Sequence, residues 1–405
     1  MAPKSRAVTA KALHALLTRI GSASSGRKDI LQERFQRDVI KSRLFALGRG
    51  MESYQDQDTA RKLRIISIDM GIKNLAYCDA EVTYSENSTM NAAMSIIRWD
   101  KIDLVKTTQG RRERLSNDRV VEVPTAEADE DVDPYSLPVL SQTAYRFIKQ
   151  IIVNVSPDII LIERQRWRSA SSAAIQQWTV RVNTLEAMLH AILETLRTES
   201  RIGLENHHRT MDYEVYGVDP KRVGQYWLGL HARALTGRNG KAADVLEVLE
   251  DLEAEAPTKQ IPRRKAEKKA KIALLRTWLM AKSPSTESST PGSTPTISFK
   301  IGKGAVLARE ALCLPSNTSA RKKKLKSSAG DGEIISATED LSIGADMKKL
   351  DDITDCFLQA AAWVAWESNR MSLMEAWERR RKQGAKLPEM DEEIMLDMVD
   401  AAGEA

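Results

Sequence analysis

Apolar and polar positions along the chain fall into two periods. Five short runs rich in β-branched residues, at about 63–69, 74–82, 93–99, 158–163 and 213–218, have the length and composition of strands. Apolar residues three and four apart predict helices near 141–155, 171–198, 220–235 and 351–369. The same spacing appears near the start of the chain. Leu13, Leu16, Leu17 and Ile20 mark one short helix and Leu31, Phe35 and Val39 a second, with the small-residue loop Gly21-Ser22-Ala23-Ser24-Ser25-Gly26 between them. Three strands in succession predict an antiparallel start, and the later strands alternate with helices. The expected class is α/β, a mixed five-stranded sheet flanked by helices, with a small helical module over residues 1–50.

Polar stretches interrupt this pattern. Residues 104–138 are irregular and carry Glu127-Ala128-Asp129-Glu130-Asp131, which reads as an exposed insertion. A second insertion is expected over 241–345. Within it, 241–256 is acidic and helical in pattern, and 258–281 is basic and amphipathic (Arg263, Arg264, Lys265, Lys268, Lys269, Lys271). Residues 282–297 form a Ser/Thr/Pro linker, and Arg321-Lys322-Lys323-Lys324-Leu325-Lys326 is a compact basic block. Residues 60–370 would then form the main domain, with 371–405 a C-terminal helical tail.

Composition narrows the classes. A chain of 405 residues can bury a sizeable core. Its net charge of +5 is mild, but the positive residues are clustered. Three cysteines (Cys78, Cys313, Cys356) cannot make a disulfide framework and lack metal-type spacing. No apolar run approaches the length of a membrane span. The first 28 residues hold no Asp or Glu, a trait of mitochondrial transit peptides, although their paired apolar stripes favour a folded helical module. The two readings can coexist.

Candidate chemistry lies in three carboxylate motifs. Ile65-Ile66-Ser67-Ile68-Asp69-Met70-Gly71 runs a strand into Asp-x-Gly, placing Asp69 at a strand end beside a tight turn. Ile159-Ile160-Leu161-Ile162-Glu163 is a second apolar run ending at an acid, with Arg164, Arg166 and Arg168 directly after it. Leu350-Asp351-Asp352-Ile353-Thr354-Asp355 opens a helix, where the dipole favours negative charge and residues three or four apart share a side. Strand termination and helix capping are the plain alternatives. Capping accounts for one acid of the last motif and leaves two. Oxygen donors of this kind suit Mg2+, with Mn2+ as a substitute, and two such ions can promote phosphodiester hydrolysis.

These motifs carry a family resemblance. Ser67-Ile68-Asp69-Met70-Gly71-Ile72-Lys73-Asn74-Leu75-Ala76, Ile160-Leu161-Ile162-Glu163-Arg164-Gln165, Tyr216-Gly217-Val218-Asp219-Pro220 and Lys348-Lys349-Leu350-Asp351-Asp352-Ile353-Thr354-Asp355 resemble, in order, the fungal mitochondrial Holliday-junction resolvases. Those proteins are relatives of bacterial RuvC with a ribonuclease H-like sheet. The resemblance covers roughly residues 63–370 and implies a mitochondrial matrix enzyme (a nuclear one is the lesser alternative) that resolves four-way DNA junctions as a homodimer. It implies that Asp69 and Glu163 are catalytic metal ligands, joined by Asp355 and by Asp352, with Asp351 as the register alternative. Residues 1–50 are similar to a SAP-type DNA-binding module, whose removal is expected to weaken DNA affinity more than the chemical step.

Candidate DNA contacts are Lys73, Arg164, Arg166, Arg168, Lys221, Arg222, Arg27 and Lys28. Trp167 could stack on an unpaired base or simply pack in its own domain, while Trp363, Trp366 and Trp377 read as helix packing or a partner face. His207 and His208 read as surface histidines. Two other classes compete. A non-catalytic junction-binding scaffold would keep the fold, but all the expected acids are present. An actin-like or sugar-kinase ATPase would also place Asp-x-Gly against phosphates, but a second phosphate hairpin and an adenosine motif are not visible.

Overall fold

The computed structural model describes residues 7–42, 62–85, 88–105, 133–166, 176–201, 213–236, 263–280, 296–313, 350–381 and 389–402. Trp167, Arg168, His207, His208, the acidic stretch 241–256, the basic block 321–326 and Lys348-Lys349 lie outside the described residues, as does most of the 104–138 stretch.

The strands are β1 (Lys62–Asp69), β2 (Leu75–Ser85), β3 (Ser88–Ile102), β4 (Ile159–Glu163), β5 (Glu214–Val218) and β6 (Thr296–Gly304). They form one sheet in the order β5-β4-β1-β2-β3-β6. β1, β2 and β3 form an antiparallel meander. β4 and β5 run parallel to β1 on one side, and β6 runs parallel to β3 on the other. The mixed α/β class holds, but the sheet has six strands rather than five. The sixth, Thr296-Ile297-Ser298-Phe299-Lys300-Ile301, alternates polar and apolar residues and lies inside the stretch read as a linker and insertion. Its signal is hidden by the Ser/Thr/Pro residues that precede it, and it becomes a strand because the long β3 offers it an edge.

Helices cover both faces. α1 (Ala10–Arg19), α2 (Lys28–Val39), α5 (Pro220–Thr236), α6 (Arg263–Met280), α7 (Val306–Cys313), α8 (Leu350–Glu378) and α9 (Glu392–Ala401) gather on one side. α3 (Leu137–Phe147), which continues through a π turn at Ile148–Ile152, and α4 (Gln177–Arg201) cover the other. With both faces buried, the strands lose the polar alternation of a half-exposed sheet and read as continuous apolar runs. Alternation still decides direction: Leu63 and Ile65 pack on the α8 side, and Ile66 and Ile68 on the α3–α4 side. In β4, Ile159 and Leu161 face α8 while Ile160 and Ile162 face away. Continuing each alternation puts both Asp69 and Glu163 on the α8 side.

α8 is the central element. Its residues Phe357, Leu358, Ala360, Ala361, Ala362 and Val364 are all fully buried. Indole N–H groups of Trp99 and Trp227 donate to its carbonyls at Ile353 (2.8 Å) and Leu358 (3.0 Å). Trp363 and Trp366 are packed inside, and Trp377 lies partly buried against the same core.

The N-terminal helices are joined to this core. Leu13, Leu16, Leu17, Ile20, Leu31 and Phe35 are fully buried in the same apolar cluster as the sheet face. The Thr9 hydroxyl caps α1 by accepting from the Ala12 N–H at 3.1 Å. Gly21 ends α1 at φ +69°, and a Cβ there would sit 2.2 Å from the Trp366 ring, so both the backbone and the space require glycine. Arg19 donates to Asn369 at 3.0 Å and to the Ala402 carbonyl at 2.8 Å, tying α1 to α8 and the C-terminal end. α6 and α7 are likewise packed on α8 and β6 through Leu274, Leu275, Leu279 and Leu312, so much of the stretch read as an insertion builds the core layer.

Candidate metal centre

Asp69 ends β1, Glu163 ends β4, and the parallel register pairs Ile68 with Ile162 just before them. The two acids therefore leave the sheet side by side. Gly71 permits the turn after Asp69: a Cβ there would meet the Asn74 carbonyl oxygen at 3.1 Å. Asp69 is 9% exposed and shares a hydrogen bond with Glu163. Burial holds the Asp69 carboxyl well above the ordinary range, and the Glu163 hydrogen bond and the charges of Glu163, Asp355 and Asp352 push it the same way.

Polar neighbours fix these acids. The Met70 N–H (3.3 Å) and the Gln165 side-chain amide (3.1 Å) both donate to Glu163 Oε2. Gln165 is held in turn by its own N–H donating to Glu186 of α4 at 3.0 Å. Gln359 of α8 donates to Ser67 Oγ at 3.0 Å and to the Ile68 carbonyl at 3.3 Å, so the helix that carries the later acids grips the strand that carries the first. Neither glutamine was among the expected site residues. Gln359 did have a signal, as a polar residue inside Leu358-Gln359-Ala360-Ala361-Ala362 where everything around it is apolar.

The first turns of α8 separate the three acids. Asp352 and Asp355 face the Asp69–Glu163 pair closely enough to raise the Asp69 pKa. Asp351 pairs instead with Lys268 of α6. Asp355 also receives Lys271 of α6, whose Nζ lies 3.1 Å from Oδ1. Burial pushes the Asp355 pKa up, and Lys271 offsets only part of this. Among the described residues, no three carboxylate, thiol or imidazole side chains stand close enough together to hold an ion as they are. The donor set nonetheless fits a hard cation: all oxygens, at the ends of two strands and one helix, with two strand-end carboxylates in hydrogen-bond contact.

The expected DNA contacts divide by place. Lys73 is exposed on the loop after Asp69, its Nζ 5.9 Å from the centre of the Tyr135 ring. Arg164 and Arg166 are exposed beyond β4, with Arg166 3.6 Å from Asp219. Lys221 is exposed at the start of α5, where its N–H donates to Asp219 at 2.9 Å. Arg222 donates to the Gly21 carbonyl at 3.2 Å, which bridges the sheet domain to the N-terminal helices. Arg27 and Lys28 are exposed at the start of α2, paired with Asp29 at 3.0 Å and Glu392 at 3.1 Å.

Fold and site together define a mixed-sheet α/β protein with a buried carboxylate centre. The chain belongs to the family described as mitochondrial resolvase Ydc2 / RNA splicing MRS1, whose match spans residues 65–373 and so contains all the candidate acids. It is 29% identical over 208 residues to cruciform cutting endonuclease 1, mitochondrial, of Schizosaccharomyces pombe, covering 51% of this chain and 62% of that protein. It is 24% identical over 315 residues to the Saccharomyces cerevisiae protein of the same name, covering 78% of this chain and 71% of that one. The crystal structure of the yeast mitochondrial Holliday junction resolvase Ydc2 aligns over 90% of this chain and 95% of its own at 19% identity, with a TM-score of 0.40. No helix among the described residues is long and apolar enough to cross a membrane.

Proposed function

We propose that this chain is a mitochondrial, divalent-metal-dependent endonuclease that resolves four-way DNA junctions by paired phosphodiester hydrolysis, acting as a homodimer. The observation that carries the reading is the convergence of Asp69, Glu163, Asp352 and Asp355 from two strand ends and one helix start. Membership of a family named for a resolvase, and two relatives named as mitochondrial cruciform cutting endonucleases, support the substrate and the compartment. The paired strand-end acids, with Mg2+ or Mn2+ between them, are the reading for the cofactor. The fold is taken as ribonuclease H-like, with residues 1–50 as a SAP-like DNA-binding element.

In this reading Asp69 and Glu163 hold the ion from the sheet, and Asp352 and Asp355 complete its surroundings from α8. The bound ion supplies Lewis acidity and neutralises the negative charge that builds on the phosphodiester. Gln165 and the Met70 N–H fix the Glu163 carboxylate, and Gln359 fixes the height of α8 against β1. Exposed Lys73, Arg164, Arg166 and Lys221 border the acids and meet DNA phosphates, a contribution that weakens with salt. Paired cuts on a two-fold junction call for two such centres related by two-fold symmetry, hence the dimer.

The decisive experiment incubates the full chain with labelled four-way, three-way and linear DNA, with and without Mg2+. Mg2+-dependent paired nicks confined to branched DNA are expected. Equal cutting of linear duplex would remove the structural selectivity. Junction binding without cutting in either Mg2+ or Mn2+ would favour the non-catalytic alternative.

A further inference from the structure

The acid cluster already contains a cation, and it belongs to the chain. Lys271 is only 8% exposed, although lysines are among the residues least often buried without a partner. Its Nζ lies 3.1 Å from Asp355 Oδ1 and 3.8 Å from Glu267 Oε1. Glu163 also adds to the field that it feels. One turn earlier on α6, Lys268 pairs with Asp351, one turn earlier on α8. The two helices are thus zipped, lysine to aspartate, across the start of α8. The packing of α5 makes this approach possible. Gly224 lies where a Cβ would fall 2.8 Å from Glu267 Oε1 and 3.5 Å from Lys271 Cε. A glycine inside a helix is less favourable than alanine, and here its missing side chain is the space that Lys271 and Glu267 occupy.

We propose that Lys271 is a built-in counter-ion of the carboxylate cluster, a positioning residue that competes with the divalent cation for Asp355 and so sets how tightly the protein binds metal. This rests on the reading of Asp69, Glu163, Asp352 and Asp355 as the metal ligands. An ammonium and a divalent cation both seek the same carboxylate oxygens, and each disfavours the other at short range. Asp355 can bind the ion fully only when Lys271 gives it up.

The test is a titration of the DNA-free full chain with Mn2+ at pH 8, where protons compete least for carboxylates, following free Mn2+ by electron paramagnetic resonance. Lys271→Met and Lys271→Gln are expected to bind Mn2+ at least tenfold more tightly than the wild type, and Lys271→Arg, which keeps the charge, to stay near it. Circular dichroism checks that each variant is folded. Should the methionine variant misfold, the glutamine variant decides the question. Unchanged or weaker Mn2+ binding in folded Lys271→Gln, beside measurable binding by the wild type, would overturn the counter-ion role alone. No Mn2+ binding by any of the four proteins would overturn the metal-site reading and this inference together.

Discussion

At the scale of single residues, the geometry separates acids that the sequence leaves alike. Asp69 shares a hydrogen bond with Glu163, so Asp69→Asn should abolish Mg2+-dependent cleavage and leave junction binding within about threefold, because affinity rests mainly on phosphate contacts elsewhere. Single-turnover cleavage and gel-shift titration check the two halves. The raised Asp69 pKa carries a second consequence. A carboxyl whose folded pKa exceeds its unfolded one binds more protons in the native state, so stability falls as pH rises from the ordinary Asp range up through the raised value. Thermal unfolding in EDTA should show this loss as pH rises above the ordinary Asp range, and Asp69→Asn, which cannot ionise, should flatten it. A variant with the wild-type pH slope would show that Asp69 is not the group responsible. On α8, Asp352→Asn should be as damaging to cleavage as Glu163→Gln. Asp351→Asn, which removes the partner of Lys268, should cost less than tenfold. Equal losses from Asp351 and Asp352 in cleavage assays would contradict this division.

Among elements, α8 does the joining. It faces β1 with Gln359, takes indole donors from β3 and α5, and receives α1 through Asn369 and the Trp366 ring. The α1–α2 pair depends on that seat. Gly21→Ala meets both a left-handed backbone and the Trp366 ring, so the expected loss is more than about 1 kcal/mol. Phe35→Ala, from a fully buried site on α2, should cost about 3–5 kcal/mol. Urea unfolding of the whole chain reads both. If each altered stability by only a few tenths of a kcal/mol, the helices would not be part of the cooperative core.

For the whole molecule, the N-terminal helices change what truncation means. Removing residues 1–42 strips Leu13, Leu16, Leu17, Ile20, Leu31 and Phe35 from the main core and exposes the surface they cover. The expected outcome is loss of cooperative unfolding and of solubility, beyond the weaker DNA binding that a detachable module would give. A folded truncation with normal stability would restore the detachable-module reading. The same packing bears on import: a cleavage removing the chain through α1 would excise part of the core, so the mature protein should retain its sequence from Val8 onward. Mass spectrometry of the protein isolated from mitochondria measures that end directly.

The sequence by itself determined five of the six strands and the candidate acids. The runs Ile65-Ile66-Ser67-Ile68-Asp69 and Ile159-Ile160-Leu161-Ile162-Glu163 are local information and put an acid at each strand end, but only the parallel pairing of β1 with β4 sets both acids on one side of the sheet. The helical spacing of α1, α2, α4, α5 and α8 was legible for the same reason, since burial on one face repeats every turn. β6 was not. Its alternation is visible, but an edge strand exists only where another strand offers hydrogen bonds, and β3 lies some two hundred residues away (Ala92 pairs with Ile297). Nor could spacing choose between Asp351 and Asp352, because three and four residues along a helix are nearly equivalent. The two acids differ only in the structure, where Lys268 of α6 pairs with Asp351 and Lys271 with Asp355 from the far side of a long polar stretch. The glutamines that hold Glu163 and β1, and the lysine set against Asp355, were decided in the same way. Long-range packing decides which polar groups meet inside a core, and in the sequence each of them is only a polar residue beside apolar ones.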